Sequence, residues 1–156
     1  MYTSNKNNRI EERDIDKLER KLNKKLPDEY RKFLLLYNGG TPIRNLFTRN
    51  LELGCLVVND LHGINAEHKY NDLYHMIDVY DGRIPSNFIP IGGDPGGNVF
   101  CLCISEDFYG KVYFWDHNNE DDSDEKVNKH ASLTNNMYFL SDDFNSFVNR
   151  LTEASN

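Results

Sequence analysis

"FIPIGGDPGGNVFCLCI", Phe88 to Ile104, is the stretch on which the fold turns. Two apolar runs flank four glycines, Gly92, Gly93, Gly96 and Gly97, set around Asp94-Pro95. A glycine-rich loop after an apolar run is either a phosphate cradle or a turn. A P-loop needs G-x-x-x-x-G-K-[ST], because the lysine neutralises phosphate and the hydroxyl holds magnesium. Here Gly97 is followed by Asn98 and Val99. A dinucleotide fingerprint needs a helix after its glycines, so that the helix N-terminus meets the pyrophosphate. Here "NVFCLCI" follows, apolar on both faces, which reads as a central strand. Asp94 would also repel phosphate. The stretch therefore predicts strand, connection, strand. At least one of its glycines is expected in a backbone geometry that only glycine tolerates well.

Strands continue on either side. "KVYFWD", Lys111 to Asp116, is aromatic and β-branched. "CLVVNDL", Cys55 to Leu61, reads as one strand, and Arg44 to Phe47 and "MYFL" as shorter ones. In "NFIPI", Pro90 points to an edge or a non-bonded position. Helical stripes lie at the two ends. Ile15, Leu18 and Leu22 form one. "LPDEYRKFLLLYNGG" carries Tyr30, Phe33, Leu34 and Tyr37 on one face, Asp28 and Glu29 where the helix dipole favours acid, and Asn38-Gly39-Gly40 as a stop. Leu73, Tyr74, Ile77 and Tyr80 share a face of a middle helix ended by Gly82. Ser141 is placed to cap a last helix bearing Phe144, Phe147, Val148 and Leu151. The pattern predicts an α+β fold, a mostly antiparallel central sheet of about five to six strands flanked by N-terminal and C-terminal helices. A chain of 156 residues fits a single domain over 1–156.

Composition narrows the function classes. Net charge is −7, which disfavours nucleic acid as a direct partner, since phosphates need a basic face. It favours solubility and fast association with basic partners. No run approaches the roughly 20 apolar residues of a membrane helix. The polar start, "MYTSNKNNRIEER", shows no signal peptide, so the expected location is the cytoplasm. Three cysteines, Cys55, Cys101 and Cys103, argue against a closed disulfide framework and lack the Cys-x-x-Cys spacing of zinc sites. Cys101 and Cys103, two apart in a strand, share one face as small buried residues.

No constellation supports chemistry. The five histidines show no H-E-x-x-H pattern, and no G-x-S-x-G elbow is present. Cys55 lies in a strand-like run, which suggests an inert thiol. The acidic segment "DHNNEDDSDEK" invites a calcium reading counted from Asp116. It fails at the sixth position, Asp121 in place of glycine, and at the closing position, Val127 in place of glutamate. A solvated loop, a docking surface for a basic partner and, last, calcium binding outside the motif are the readings left. Trp115, the single tryptophan, is either core or a binding anchor. No cofactor, metal or catalytic residue is expected. The candidate partner-binding residues are Trp115, Asp116, His117, Glu120, Asp121, Asp122, Asp124 and Glu125.

Three segments together resemble the SUKH superfamily, specifically its Smi/Knr branch: "LPDEYRKFLLLYNGG", then "FIPIGGDPGGNVFCLCI" with "GKVYFWDHNNED", then "YFLSDDFNSFVNRL". Their order and spacing match the family pattern across nearly the whole chain, while Thr41 to Tyr80 matches loosely. The resemblance implies an α+β fold with a central antiparallel sheet. It implies a non-enzymatic binding protein, since bacterial members are mostly immunity proteins that bind and block a cognate toxin domain in the cytoplasm, frequently a nuclease or deaminase. Fungal relatives are regulators linked to cell-wall synthesis, which gives the alternative of a regulatory scaffold. An enzyme acting on a small molecule is the remaining alternative. The matching positions Leu26, Pro27, Tyr30, Phe33, Asn38, Gly39, Gly40, Gly92, Gly97, Asn98, Trp115, Asp116 and Phe144 look structural. Toxin contacts differ between members, so none transfers from the family.

Overall fold

The computed structural model describes residues 3–4, 7–48, 54–105, 107–119 and 136–153. Its centre is the antiparallel hairpin predicted from the glycine loop. Strand β6 (Phe88–Gly93) pairs with β7 (Val99–Cys103), and β7 with β8 (Val112–Trp115). β5 (Asp60–Leu61) and β9 (Met137–Ser141) complete a five-stranded sheet of order β5-β6-β7-β8-β9, antiparallel throughout. A smaller sheet of order β10-β3-β4 joins β3 (Leu46–Thr48), β4 (Cys55–Val57) and β10 (Leu151–Thr152). β1 (Thr3–Ser4) and β2 (Thr41–Pro42) form a separate pair.

Helices α1 (Glu12–Leu22), α2 (Asp28–Tyr37), α3 (Leu73–Val79) and α4 (Phe144–Asn149) supply the α part. α1 begins where the Asp14 carboxylate accepts the Glu11 N–H at 2.8 Å. α2 ends at Asn38, whose φ of 47° is left-handed. The Asn38 side chain then accepts from the Ile64 N–H at 2.7 Å and donates to the Asn8 and Ile64 carbonyls. The helix stop is thus also a tie between the chain start and the β5–α3 connection.

Alternation along the strands splits the core in two. Phe100 and Leu102 of β7 face the larger cluster, where Tyr30 and Phe33 of α2 meet Phe144 of α4 at ring distances of 5.2 and 5.0 Å. Val99, Cys101 and Cys103 face the other side with Tyr113, Trp115 and Met137. β7 is therefore buried on both faces, as a central strand must be. Each large apolar side chain sealed in this way contributes about 1.5–3 kcal/mol.

Several local expectations are corrected. Cys55 to Leu61 is two strands, β4 and β5, in different sheets. Between them the Val58 N–H reaches the Asn45 carbonyl and the Asn59 N–H the Gly93 carbonyl, so the chain changes partner at that point. Cys55 itself is exposed, not buried. Pro90 lies in an internal strand, where a register shift between Pro90 and Gly92 accommodates it. The last helix is capped by Asp143, whose carboxylate accepts the Ser146 N–H at 2.7 Å, while Ser141 closes β9.

Candidate partner-binding site

Antiparallel order brings the β6–β7 loop and the C-terminal end of β8 to the same end of the sheet. The loop is held from within. One Asp94 carboxylate oxygen accepts the Gly96 and Asn98 N–H groups at 2.9 and 2.8 Å, and the other accepts the Asn98 side-chain amide at 2.9 Å. An aspartate that bonds its own backbone two and four residues on is a turn-former. Gly97 has φ of 90°, the left-handed geometry expected of at least one loop glycine. Gly92 is required for space, since a Cβ there would lie 2.5 Å from the Asp60 carbonyl oxygen.

From the loop the network crosses to β8. The Asn98 side-chain oxygen accepts the His117 backbone N–H at 3.0 Å and lies 2.6 Å from His117 Nδ1. With the Asn98 amide nitrogen donating to Asp94, its oxygen is the acceptor on both bonds, so Nδ1 carries the proton. The ring is half-buried beside Gly97. Next to it the Asp116 carboxylate accepts the Asn118 N–H at 3.0 Å, and the Asp116 backbone exchanges bonds with Asn136. The His117 ring, among the described residues, bonds the Asn98 amide. Among the described residues, no three or more His, Cys, Asp or Glu are grouped to hold a metal.

The structure distributes the sequence-predicted residues unevenly. Trp115 is fully buried, edge-to-face with Tyr80 at 5.5 Å. The Arg83 guanidinium lies over both rings, at 5.3 Å from Trp115 and 5.0 Å from Tyr80. Trp115 is therefore core, not an exposed anchor, and it fixes the strand end from inside. Asp116 and His117 are half-buried at the surface, and Glu120, Asp121, Asp122, Asp124 and Glu125 lie outside the described residues. Sequence reasoning missed the Asp94–Asn98–His117 relay. Its signal was present in the Asp-x-Gly-x-Asn spacing, a side-chain-capped turn.

Comparison with known proteins agrees with this architecture. The profile of the SMI1 / KNR4 family (SUKH-1) matches residues 9–150. The chain is 29% identical over 120 residues to the SPbeta prophage-derived uncharacterized protein YokK of Bacillus subtilis (strain 168), covering 66% of this chain. It spans 60% of that relative's length. With a profile match that takes in every helix and the whole five-stranded sheet, the chain belongs to the SMI1 / KNR4 family (SUKH-1).

Proposed function

We propose that this protein is a non-enzymatic immunity protein that binds and neutralises a toxin domain presenting a basic surface. The observation that carries the reading is the family match over residues 9–150, joined to a net charge of −7. The contact surface in this reading is the sheet end built by the β6–β7 loop, Asp116 and His117, together with the acidic residues that follow in the sequence, Glu120, Asp121, Asp122, Asp124 and Glu125. Trp115 supports that end from within. A toxin that acts on nucleic acid carries cationic side chains for phosphate, and an acidic inhibitor meets them with complementary charge. Such pairing raises the association rate and makes it fall with salt. The similarity to a protein described as prophage-derived is in keeping with a gene carried by mobile elements. Binding would take place in the cytoplasm, with residues 1–156 acting as one domain. No described helix is long and apolar enough to cross a membrane.

Co-expression tests this. A candidate toxin domain taken from a neighbouring gene should arrest growth alone, and growth should return when this protein is co-expressed. Arrest that persists despite abundant folded protein would remove the immunity reading. Neutralising Glu120, Asp121, Asp122, Asp124 and Glu125 together should slow association and flatten its salt dependence. An unchanged rate and salt dependence would move the contact surface elsewhere.

A further inference from the structure

Backbone groups at the edge of a sheet must find water or another strand. The five-stranded sheet closes one of its edges within the chain. Beyond β5, Gly40 and Leu61 exchange backbone bonds of 2.9 Å in both directions. The other edge is β9. The Asn136 carbonyl accepts the Asp116 N–H at 3.0 Å, so the Asn136 backbone faces β8. Antiparallel bonding alternates, so Tyr138, opposite Phe114, faces β8 as well. The N–H and C=O groups of Met137 and Phe139 then point away from the sheet. Among the described residues no strand lies on that side. Past Phe139 a register shift bends the strand, and the Arg150 guanidinium donates to the Leu140 carbonyl at 3.0 Å. The open stretch is Met137 to Phe139.

Nothing within this stretch guards it. Edge strands are commonly protected by a charge, a proline or a bulge. Met137, Tyr138 and Phe139 carry no charge and no proline, and the register shift comes after them. Phe139 is 41% exposed, with its ring against Tyr113 at 5.7 Å. Lys111 lies 5.5 Å from the same ring, and its charge is met by Asp142 at 3.1 Å. Arg150 and Asp143 add a cation and an acid, the acid turned to the Ser146 N–H. On a chain of net charge −7 this edge is locally balanced, which disfavours a strongly charged occupant of either sign.

We propose that this edge pairs with the same edge of a second copy, antiparallel, about a two-fold axis at Tyr138. The open groups select that register. It sets Met137 opposite Phe139 of the second copy, and Phe139 opposite its Met137, so open donors meet open acceptors on both sides of the axis. Met137 and Phe139 share one face by strand alternation, so each exposed Phe139 ring gains the flank of the other copy's Met137. The two Tyr138 side chains meet at the axis on the opposite face, where Tyr138 is partly buried. The Asp142 carboxylates fall on opposite flanks, clear of one another. Moving the axis to Phe139 would set Met137 against Ser141, beyond the register shift, where the strand has bent. A stretch this short makes a small interface, so the dimer should be weak, with Kd of about 10–100 µM. The inference is independent of the toxin-binding reading, and its test contains no toxin.

The test uses the full chain at physiological salt, which screens net charge. Sedimentation velocity from about 5 µM to about 1 mM should show a reversible monomer–dimer equilibrium. Amide-resolved hydrogen exchange should slow at Met137 and Phe139 as dimer forms, while the Tyr138 amide, bonded within the sheet, stays slow throughout. Phe139→Lys, which sets a charge on the edge, should weaken dimerisation by about tenfold or more. Phe139→Pro removes an outward N–H at a position where an edge strand tolerates proline, and should abolish the dimer. Thermal melts separate lost pairing from lost fold, and the exchange measurement on the parent protein decides where a variant melts early. The proposal is overturned by a monomer at about 1 mM, by a dimer that both folded variants retain, or by a dimer whose formation leaves exchange at Met137 and Phe139 unchanged.

Discussion

Asn98 and His117 are joined twice: the Asn98 side-chain oxygen takes the His117 backbone N–H at 3.0 Å and stands 2.6 Å from Nδ1 of the same residue. Asn98 also reaches back to Asp94 at 2.9 Å, so one amide clamps the glycine loop to the end of β8. Asn98→Ala leaves partly buried groups of Asp94 and His117 unpaired. It should cost about 1–3 kcal/mol in denaturant unfolding. A variant as stable as the parent would show that water replaces the clamp at no cost.

The two ends of the glycine loop should respond differently to a methyl group. Gly92→Ala drives a Cβ to 2.5 Å from the Asp60 carbonyl oxygen in the paired strand β5. It should destabilise by about 3 kcal/mol through overpacking. Gly96→Ala meets the Asp94 carboxylate at 3.5 Å and the Asn98 side-chain amide at 3.7 Å, both ordinary contacts, and should stay within about 0.5 kcal/mol of the parent. Parallel urea titrations decide, and similar losses at both sites would contradict the assigned packing.

Tyr30 gives the clearest pH dependence. Among the described residues its buried hydroxyl has no hydrogen-bond partner, and burial pushes its pKa well above the ordinary tyrosine value. Folding therefore keeps the phenol protonated where the unfolded chain would release the proton. The unfolded state binds fewer protons above its own pKa of about 10, so stability falls there by up to about 1.4 kcal/mol per pH unit for this one group. Below that pH the contribution is fully present. Tyr30→Phe should be neutral or stabilising by about 1 kcal/mol near pH 7, because an unpaired polar group is removed. Its stability should also fall less steeply above pH 10. An equal slope in both proteins would contradict the burial of this phenol.

Much of this was legible in the sequence, and the reasons differ by element. The α2 stripe, Tyr30, Phe33, Leu34 and Tyr37, gave its helix, because a long amphipathic face matches one period only. The β6–β7 hairpin was legible because glycines between two apolar runs leave few other geometries. Cys55 to Leu61 was not, because the Asn59-Asp60 pair inside an apolar run does not by itself say that a strand changes partner. The change is made by backbone bonds from Val58 and Asn59, which no side-chain pattern records. Trp115 was ambiguous for a related reason. A tryptophan at a strand end is equally suited to a core or an interface, and only the rings of Tyr80 and Met137's side of the sheet decide it. The Asp94 carboxylate was judged by its charge when its role is set by the N–H groups two and four residues ahead.

Thiol chemistry separates the three cysteines. Burial pushes the Cys101 thiol far above its ordinary value, and burial raises Cys103 too, opposed by hydrogen bonds to Ser105. Cys55 is exposed on β4. Under native conditions a disulfide reagent such as DTNB should label Cys55 quickly, with Cys101 and Cys103 reacting only on unfolding. Fast native labelling that survives Cys55→Ser would place a second thiol at the surface.

The central claim is that this chain works by binding a toxin domain. A calorimetric titration of the purified protein into a candidate toxin domain taken from a neighbouring gene, with toxin activity assayed at each point, tests it most directly. The account predicts saturable binding with Kd below about 1 µM, an association that weakens as salt rises, and toxin activity that falls in step with occupancy. No binding heat together with undiminished toxin activity in the presence of excess folded protein would contradict it.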